Sequence, residues 1–308
     1  VSLRRALAPV VGAGVAVGAG LTAYALWEAR QYTLREVSVP VLPSGSRPLR
    51  VLHVSDIHMT PGQQAKQEWL RGLARLEPDL VVNTGDNLSH RGAVPVVLDC
   101  LSGLLDRPGV FVLGSNDYYE PGLRNPLGYL AGPSNRTPVR TPQLPWGELR
   151  DGFRAAGWCD LSNTRDRLEV GGTDIALTGV DDPHLRFDDL GSVAGPAPTD
   201  ADLRLAVAHA PYQRVLDQFA GDGYDLVLAG HTHGGQVCLP GVGALTSNCD
   251  LDTDRVKGLH RHPSGSRPGD DRSAWLHVSA GVGTSTFTRI RVACRPEATL
   301  LTLTPREA

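Results

Sequence analysis

Cysteine is sparse and unpatterned in this chain. Its five residues, Cys100, Cys159, Cys238, Cys249 and Cys294, are odd in number and include no C-x-x-C spacing, which argues against a disulfide framework or a zinc knuckle. Only Cys238 and Cys249 are close enough in sequence to suggest a local bridge, but buried free thiols are the commoner fate and the expected one, and the count leans toward a reducing compartment. A surplus of either charge is also missing. Thirty Lys and Arg against 33 Asp and Glu give a formal net charge of -3, so no global attraction to nucleic acid is expected. No internal repeat is found, which excludes a solenoid. With 41% hydrophobic residues over 308 positions, the chain can bury one large core or two modest ones.

Long hydrophobic runs are absent with one exception. From Ala6 to Trp27 no residue is charged, a run of about 22 residues, close to the ~20 that cross a bilayer. Gly14 and Gly18 form a small-xxx-small pair, and Tyr24 and Trp27 stand where aromatic residues favour a membrane interface. The run is expected to be a transmembrane helix; a signal peptide, a twin-arginine export signal and a buried core helix are the competing readings. Arg4 and Arg5 before it favour a cytoplasmic N-terminus with the domain on the outer face of the membrane, although Arg30 and Arg35 after it dilute the asymmetry. The domain plan is an anchor over 1–30, a Pro, Gly and Ser-rich linker over 31–48, and one domain over 49–308.

Within that domain, short apolar runs alternate with helical patterns, the signature of a layered α/β architecture. Strands are expected at 49–54, 79–83, 109–113, 203–208 and 225–229, helices at 63–76, 94–105, 148–156 and 212–219, and a hairpin over 168–180 turning at Gly171-Gly172. Further strands are expected at 275–279 and 298–303, and 118–146 reads as a long loop rimming a substrate site. Each of five strands ends in a candidate ligand: Asp56 with His58, Asp86, Asn116, His209, and His231 with His233. Ligands gather at such carboxyl ends because the loops leaving them converge. In extended backbone the residues i and i+2 share a side, so Asp56-x-His58 and His231-x-His233 are each expected to grip one ion. Imidazole with carboxylate and amide oxygen suits Zn, Fe, Mn or Ni. Seven candidates exceed the ~4 that one zinc takes, which points to two ions sharing a carboxylate.

The ordered set Asp56-Ile57-His58, Gly85-Asp86, Gly114-Ser115-Asn116-Asp117, His209 and Gly230-His231-Thr232-His233 resembles the calcineurin-like metallophosphoesterase superfamily over roughly residues 49 to 303. The later Gly234-Gly235-Gln236 and the 280–285 stretch resemble its bacterial branch with an N-terminal membrane segment. The resemblance implies a four-layer α/β/β/α sandwich of two mixed sheets and a centre of two divalent ions, Mn, Zn or Fe. Asp56, His58, Asp86 and His233 would hold one ion, Asp86, Asn116, His209 and His231 the other, with Asp86 bridging and a hydroxide between the ions attacking phosphorus.

The chain departs from that family at one place. Where members read Gly-Asn-His-acid, this sequence has Gly114, Ser115, Asn116 and Asp117, so Ser115 aligns with the metal-binding Asn and Asn116 with the catalytic His. A hydroxyl is the poorer ligand, and Asn116 is expected to bind metal through a shifted loop. The usual proton donor is then missing. His184 is a candidate replacement if it folds in from its loop and is otherwise a surface residue; a leaving group needing no proton and a slow enzyme are the other answers. His53 and His90 read as structural.

The expected activity is hydrolysis of a phosphomonoester or phosphodiester, with a membrane lipid or cell-envelope substrate brought close by the anchor. A metal-binding scaffold is the alternative from another class. A nuclease would need a basic track, and only scattered arginines are available (Arg124, Arg136, Arg140, Arg150, Arg154).

Overall fold

The computed structural model describes residues 18–122 and 143–306. Two six-stranded mixed sheets form the centre. The first runs in the order β1 (Thr33–Leu42), β14 (Glu297–Pro305), β2 (Leu49–Val54), β3 (Leu80–Asn83), β4 (Gly109–Phe111), β5 (Cys159–Asp160). The second runs β12 (Gly258–His262), β13 (Ala274–Val278), β9 (Leu226–Ala229), β8 (Leu203–Val207), β7 (Thr173–Gly179), β6 (Thr164–Val170). Strands β2, β3, β4 and β5 are parallel, as are β7, β8, β9 and β13. Central parallel strands bury both faces, which is why β3 (LVVN) and β9 (LVLA) read as unbroken apolar runs.

Val51, Val82 and Val110 from the first sheet meet Leu177, Leu205 and Leu228 from the second in one buried layer between them. The outer faces are covered by helices. On the first sheet lie α2 (Gln64–Gly72), α3 (Val94–Leu105) and α5 (Trp146–Ala155). Helix α3 buries Val94, Val97, Leu101 and Leu104, a three-and-four spacing that makes one apolar stripe. On the second sheet lies α7 (Gln213–Asp222), which buries Val215, Leu216 and Phe219 and ends at Gly223. There φ is 89°, a left-handed cap that glycine adopts without strain.

Two expectations are corrected here, and one about the cysteines is met. Residues 31–48 are not only a linker, because β1 forms the edge of the first sheet and pairs in parallel with β14 from Thr33↔Glu297 onward. The 63–76 helix is α2 followed by a separate 3-10 turn over Leu73–Leu76. Cys238 and Cys249 do not bridge: all five cysteines are free and these two belong to different buried clusters.

Most of the Ala6–Trp27 run lies outside the described residues, as does 123–142 of the long loop with Arg124, Arg136 and Arg140. Residues 18–28 are helical (α1) and expose Leu21, Tyr24, Leu26 and Trp27. No described helix is long and apolar enough to cross a membrane. Ala25 and Glu28 of α1 are buried against the 291–293 segment: Arg291 N–H donates to the Ala25 carbonyl (3.0 Å) and Ala293 N–H to the Glu28 carboxylate (2.8 Å).

Candidate metal centre

Five loops leave β2, β3, β4, β8 and β9 on one edge of the sandwich and bring the seven predicted ligands together. Asp86 stands in the middle. Its Oδ2 is 3.5 Å from His58 Nε2 and its Oδ1 is 3.5 Å from His209 Nε2, one oxygen to each side. On one side, Asp56, His58 and His233 place donor atoms within 4.8 Å of one another; on the other, so do Asp56, Asp86 and His209. His231 joins the second group, with its Nδ1 3.3 Å from His209 Nε2. The Asn116 carboxamide lies 2.6 Å from Asp86 Oδ2, and its backbone N–H donates to Asp86 Oδ1 at 2.7 Å. Ser115, though buried and facing the same cavity, makes its hydroxyl contact with Asn116, at 3.4 Å.

The His231-x-His233 pair divides between the two groups instead of gripping one ion, because the backbone there is not extended. His231 has φ 69° and His233 φ 51°; Asp56, His58 and Asp86 also lie in this left-handed region. Non-glycine residues rarely adopt it, and five such positions in one centre mark strain held by the surrounding packing. Two glycines make room. A Cβ on Gly114 would come within 2.4 Å of Asp86 Oδ1, and one on Gly230 within 2.6 Å of Asp56 Oδ2.

The second tier explains how the ligands are aimed. His209 Nδ1 donates to the Thr84 carbonyl (2.7 Å), His231 Nε2 reaches the Asn248 carbonyl (3.2 Å), and His58 Nδ1 lies 3.2 Å from Ser89 Oγ. Each contact occupies one ring nitrogen and turns the other toward the centre, the arrangement that metal-binding histidines need. Asp117 accepts backbone N–H bonds from Asp86 (2.8 Å), Asn87 (2.7 Å), Leu88 (3.2 Å) and Gly114 (3.0 Å), pinning the two loops to each other.

Asp56 ends a buried chain that crosses the sheet interface. A carboxylate only accepts, so Ser55 donates to Asp56 (2.6 Å), Thr84 to Ser55 (2.6 Å), His53 Nε2 to Thr84 (3.0 Å), and His277 Nδ1 to His53 Nδ1 (3.0 Å). His53 is thus structural, as read, but on a path to the centre. His90 is exposed and caps the Gly92 N–H.

The surface placement of His184 is overturned. It is buried, its Nδ1 lies 2.9 Å from the Tyr212 hydroxyl, and its ring centroid lies 4.5 Å from that of His231, the two rings tilted by 44°, outside the described lining of the cavity. Arg291, fully buried, was missed altogether. Its guanidinium donates to the carbonyls of Ala280 (2.6 Å), Gly281 (3.0 Å), Gly283 (2.6 Å) and His233 (3.1 Å), tying the 280–283 turn to a ligand. Asn248 was missed too; it lines the cavity, and its buried Oδ1 has no partner.

The electrostatics are those of a site prepared for cations. Burial opposes charge on Asp86, but His209, His58 and the Asn116 N–H outweigh it and hold its carboxyl well below the usual range. Burial raises Asp56 to about 6 despite His209, and burial pushes His58 down to about 4. Burial also lowers His233, so it and His58 stand neutral as ion binding requires, whereas against burial Asp86 holds His209 well above the usual imidazole range, and an ion there must displace its proton. The donor set, the aimed nitrogens and the orphaned Asn248 oxygen all fit such ions. The cavity beside them has a volume of about 240 Å³.

Comparison with known proteins matches residues 49–235 to the calcineurin-like phosphoesterases. The chain belongs to this family. It is a metal-dependent phosphoester hydrolase by that membership, whose centre takes two divalent ions. Among its relatives, the uncharacterized metallophosphoesterase YkoQ of Bacillus subtilis is 26% identical over 258 residues, 82% of each chain. A bovine (Bos taurus) transmembrane protein with metallophosphoesterase domain is 28% identical over 261 residues, covering 80% of this chain and 53% of that one. The phosphodiesterase YaeI of Escherichia coli is 30% identical over 152 residues, 49% of each.

Proposed function

We propose that this phosphoesterase holds one ion with Asp56, His58, Asp86 and His233, the other with Asp86, Asn116, His209 and His231, and cleaves an amphipathic phosphoester at the membrane. The observation that carries the assignment is the position of Asp86, one carboxylate oxygen toward His58 and the other toward His209. Bound divalent ions would supply a nucleophile at neutral pH and neutralise charge on the phosphoryl oxygens. The chain's part is to orient them. Asp117 and Arg291 fix the ligand loops, and Thr84, Asn248 and Ser89 fix the imidazole planes.

Two features of the cavity support the substrate class. Val237, Leu245, Phe287 and Ile290 line it beside the ligands, so a substrate with a phosphate and an apolar body matches its two halves. Among the described residues that line it, the titratable side chains are Asp86, His58, His231 and His233, all ligands in this reading. Among the described lining residues no proton donor is left besides these ligands, a setting that suits leaving groups that depart without one. The exposed apolar residues of α1, continuous in sequence with the uncharged run before it, support attachment to a membrane lipid or envelope surface, with the domain on its outer face. Turnover of an aryl phosphodiester by the full chain with added Mn or Zn tests the reading. Activity that is absent with both metals, or unchanged in Asp86→Ala, would refute it.

A further inference from the structure

The 283–290 segment has two sides. Ser285, Phe287 and Ile290 line the metal cavity, while Thr284, Thr286 and Arg289 line a second concavity of about 410 Å³ at the end of α1. Among the described residues no acidic side chain contributes to this second wall, yet Arg30 and Arg289 do, and neither has a carboxylate partner there. In a chain of net charge -3, that is a local excess and not a reflection of the whole.

Two further features favour an anion there. Arg289 is held in place by its own Nε, which donates to the Thr286 carbonyl at 2.9 Å. Helix α2 begins in the same wall with no side-chain cap at Gln63 and no acidic residue in its first turn, so the positive end of its dipole is left uncompensated. Lys66 also reaches the wall but turns its ammonium to the Ile57 and His58 carbonyls (2.7 and 3.3 Å). The cavity is not wholly polar. Leu26 and Tyr32 form part of it, and the helix above exposes Leu21, Tyr24 and Trp27.

We infer that this concavity seats the headgroup of an anionic phospholipid, with Arg30 and Arg289 on the phosphate and the apolar face of α1 along the acyl chains. Arg guanidinium is suited to phosphate oxygens because its N–H groups match their geometry. The site does not depend on the metal centre. It would hold the membrane surface beside the segment that also walls the metal cavity.

The test uses the full chain in nonionic detergent, titrated calorimetrically with dihexanoyl phosphatidylglycerol, dihexanoyl phosphatidylcholine and glycerol phosphate. Saturable binding of the phosphatidylglycerol is expected, weakened ~10-fold or more in the Arg30→Glu/Arg289→Glu double variant and kept in the Arg30→Lys/Arg289→Lys control. Binding at the metal cavity is common to all variants, so the difference between them carries the result. A cooperative thermal transition shows that each variant is folded; Arg30→Glu alone, at an exposed position, serves if the double variant is not. Equal affinity in the charge-reversed protein, or equal binding of phosphatidylcholine, would overturn the inference. Glycerol phosphate binding as tightly as the lipid would overturn its lipid half.

Discussion

The two sheets meet the metal centre with different chemistry. From the first come Asp56, Asp86 and Asn116, which are all three oxygen donors, together with His58; from the second come only imidazoles, His209, His231 and His233. Each of the two ligand groups draws on both sheets, since His233 completes one and His209 the other. Neither sheet alone completes either group. The packing of Val51, Val82 and Val110 against Leu177, Leu205 and Leu228 is therefore a condition of metal binding, and the His277 to Asp56 chain joins the sheets in the layer beneath the ligands.

The comparison breaks most sharply at Asp86, whose two carboxylate oxygens face His58 on one side and His209 on the other. Asp86→Ala should lose both ions and lower turnover by ~10³-fold or more, since several kcal/mol of charge stabilisation depend on them. His209→Ala, on the imidazole side, should lose one ion and keep the other. Elemental analysis of the two variants reads the contrast, and equal metal loss from both would remove it.

A smaller effect is expected where the first sheet departs from its family. Asn116→Ala should empty one site, because its carboxamide lies on Asp86, whereas Ser115→Ala should leave both filled. The reverse pattern in bound metal would assign the ligand to Ser115. Below that comes the connection between the sheets. Ser55→Ala removes the donor that orients Asp56 and should weaken metal affinity by ~10- to 100-fold, as loss of an outer hydrogen bond usually does. Unchanged affinity would make the chain incidental.

The smallest effect is a graded one with pH. An ion needs the Asp56 carboxylate charged, and in the metal-free protein burial, opposed by His209, holds its pKa at about 6. Affinity should fall as pH drops through this value, by up to ~10-fold per unit with a proton released on binding, on top of a loss that starts at higher pH, where Asp86, against burial, lets His209 keep its proton. His58, pushed down to about 4 by burial, adds its own competition only at lower pH. Calorimetry with Mn on both sides of about pH 6 checks the sign; tighter binding on the acid side would contradict it.

Much of this was legible because the apolar runs stop abruptly at their ligands. Leu49–Val54, Leu80–Asn83 and Leu226–Ala229 are nearly all buried and end within four residues of Asp56, Asp86 and His231 with His233. What was not legible depends on contacts distant in sequence. β1 carries Arg35, Glu36 and Pro40 and exposes part of its length, as edge strands do, so it read as a linker. His53 and His277 are 224 positions apart, and Arg291 sits in no periodic pattern. The division of His231 from His233 follows from left-handed backbone that alternation rules do not foresee. Burial of His184 beside His231 depends on Tyr212, which lies on another loop.

Anomalous diffraction from crystals of the full chain soaked in Mn tests the central claim most directly. Two peaks roughly 3.5 to 4 Å apart are predicted, one on the His58 side of Asp86 and the other on its His209 side. A single peak, or two that do not share Asp86, would contradict it.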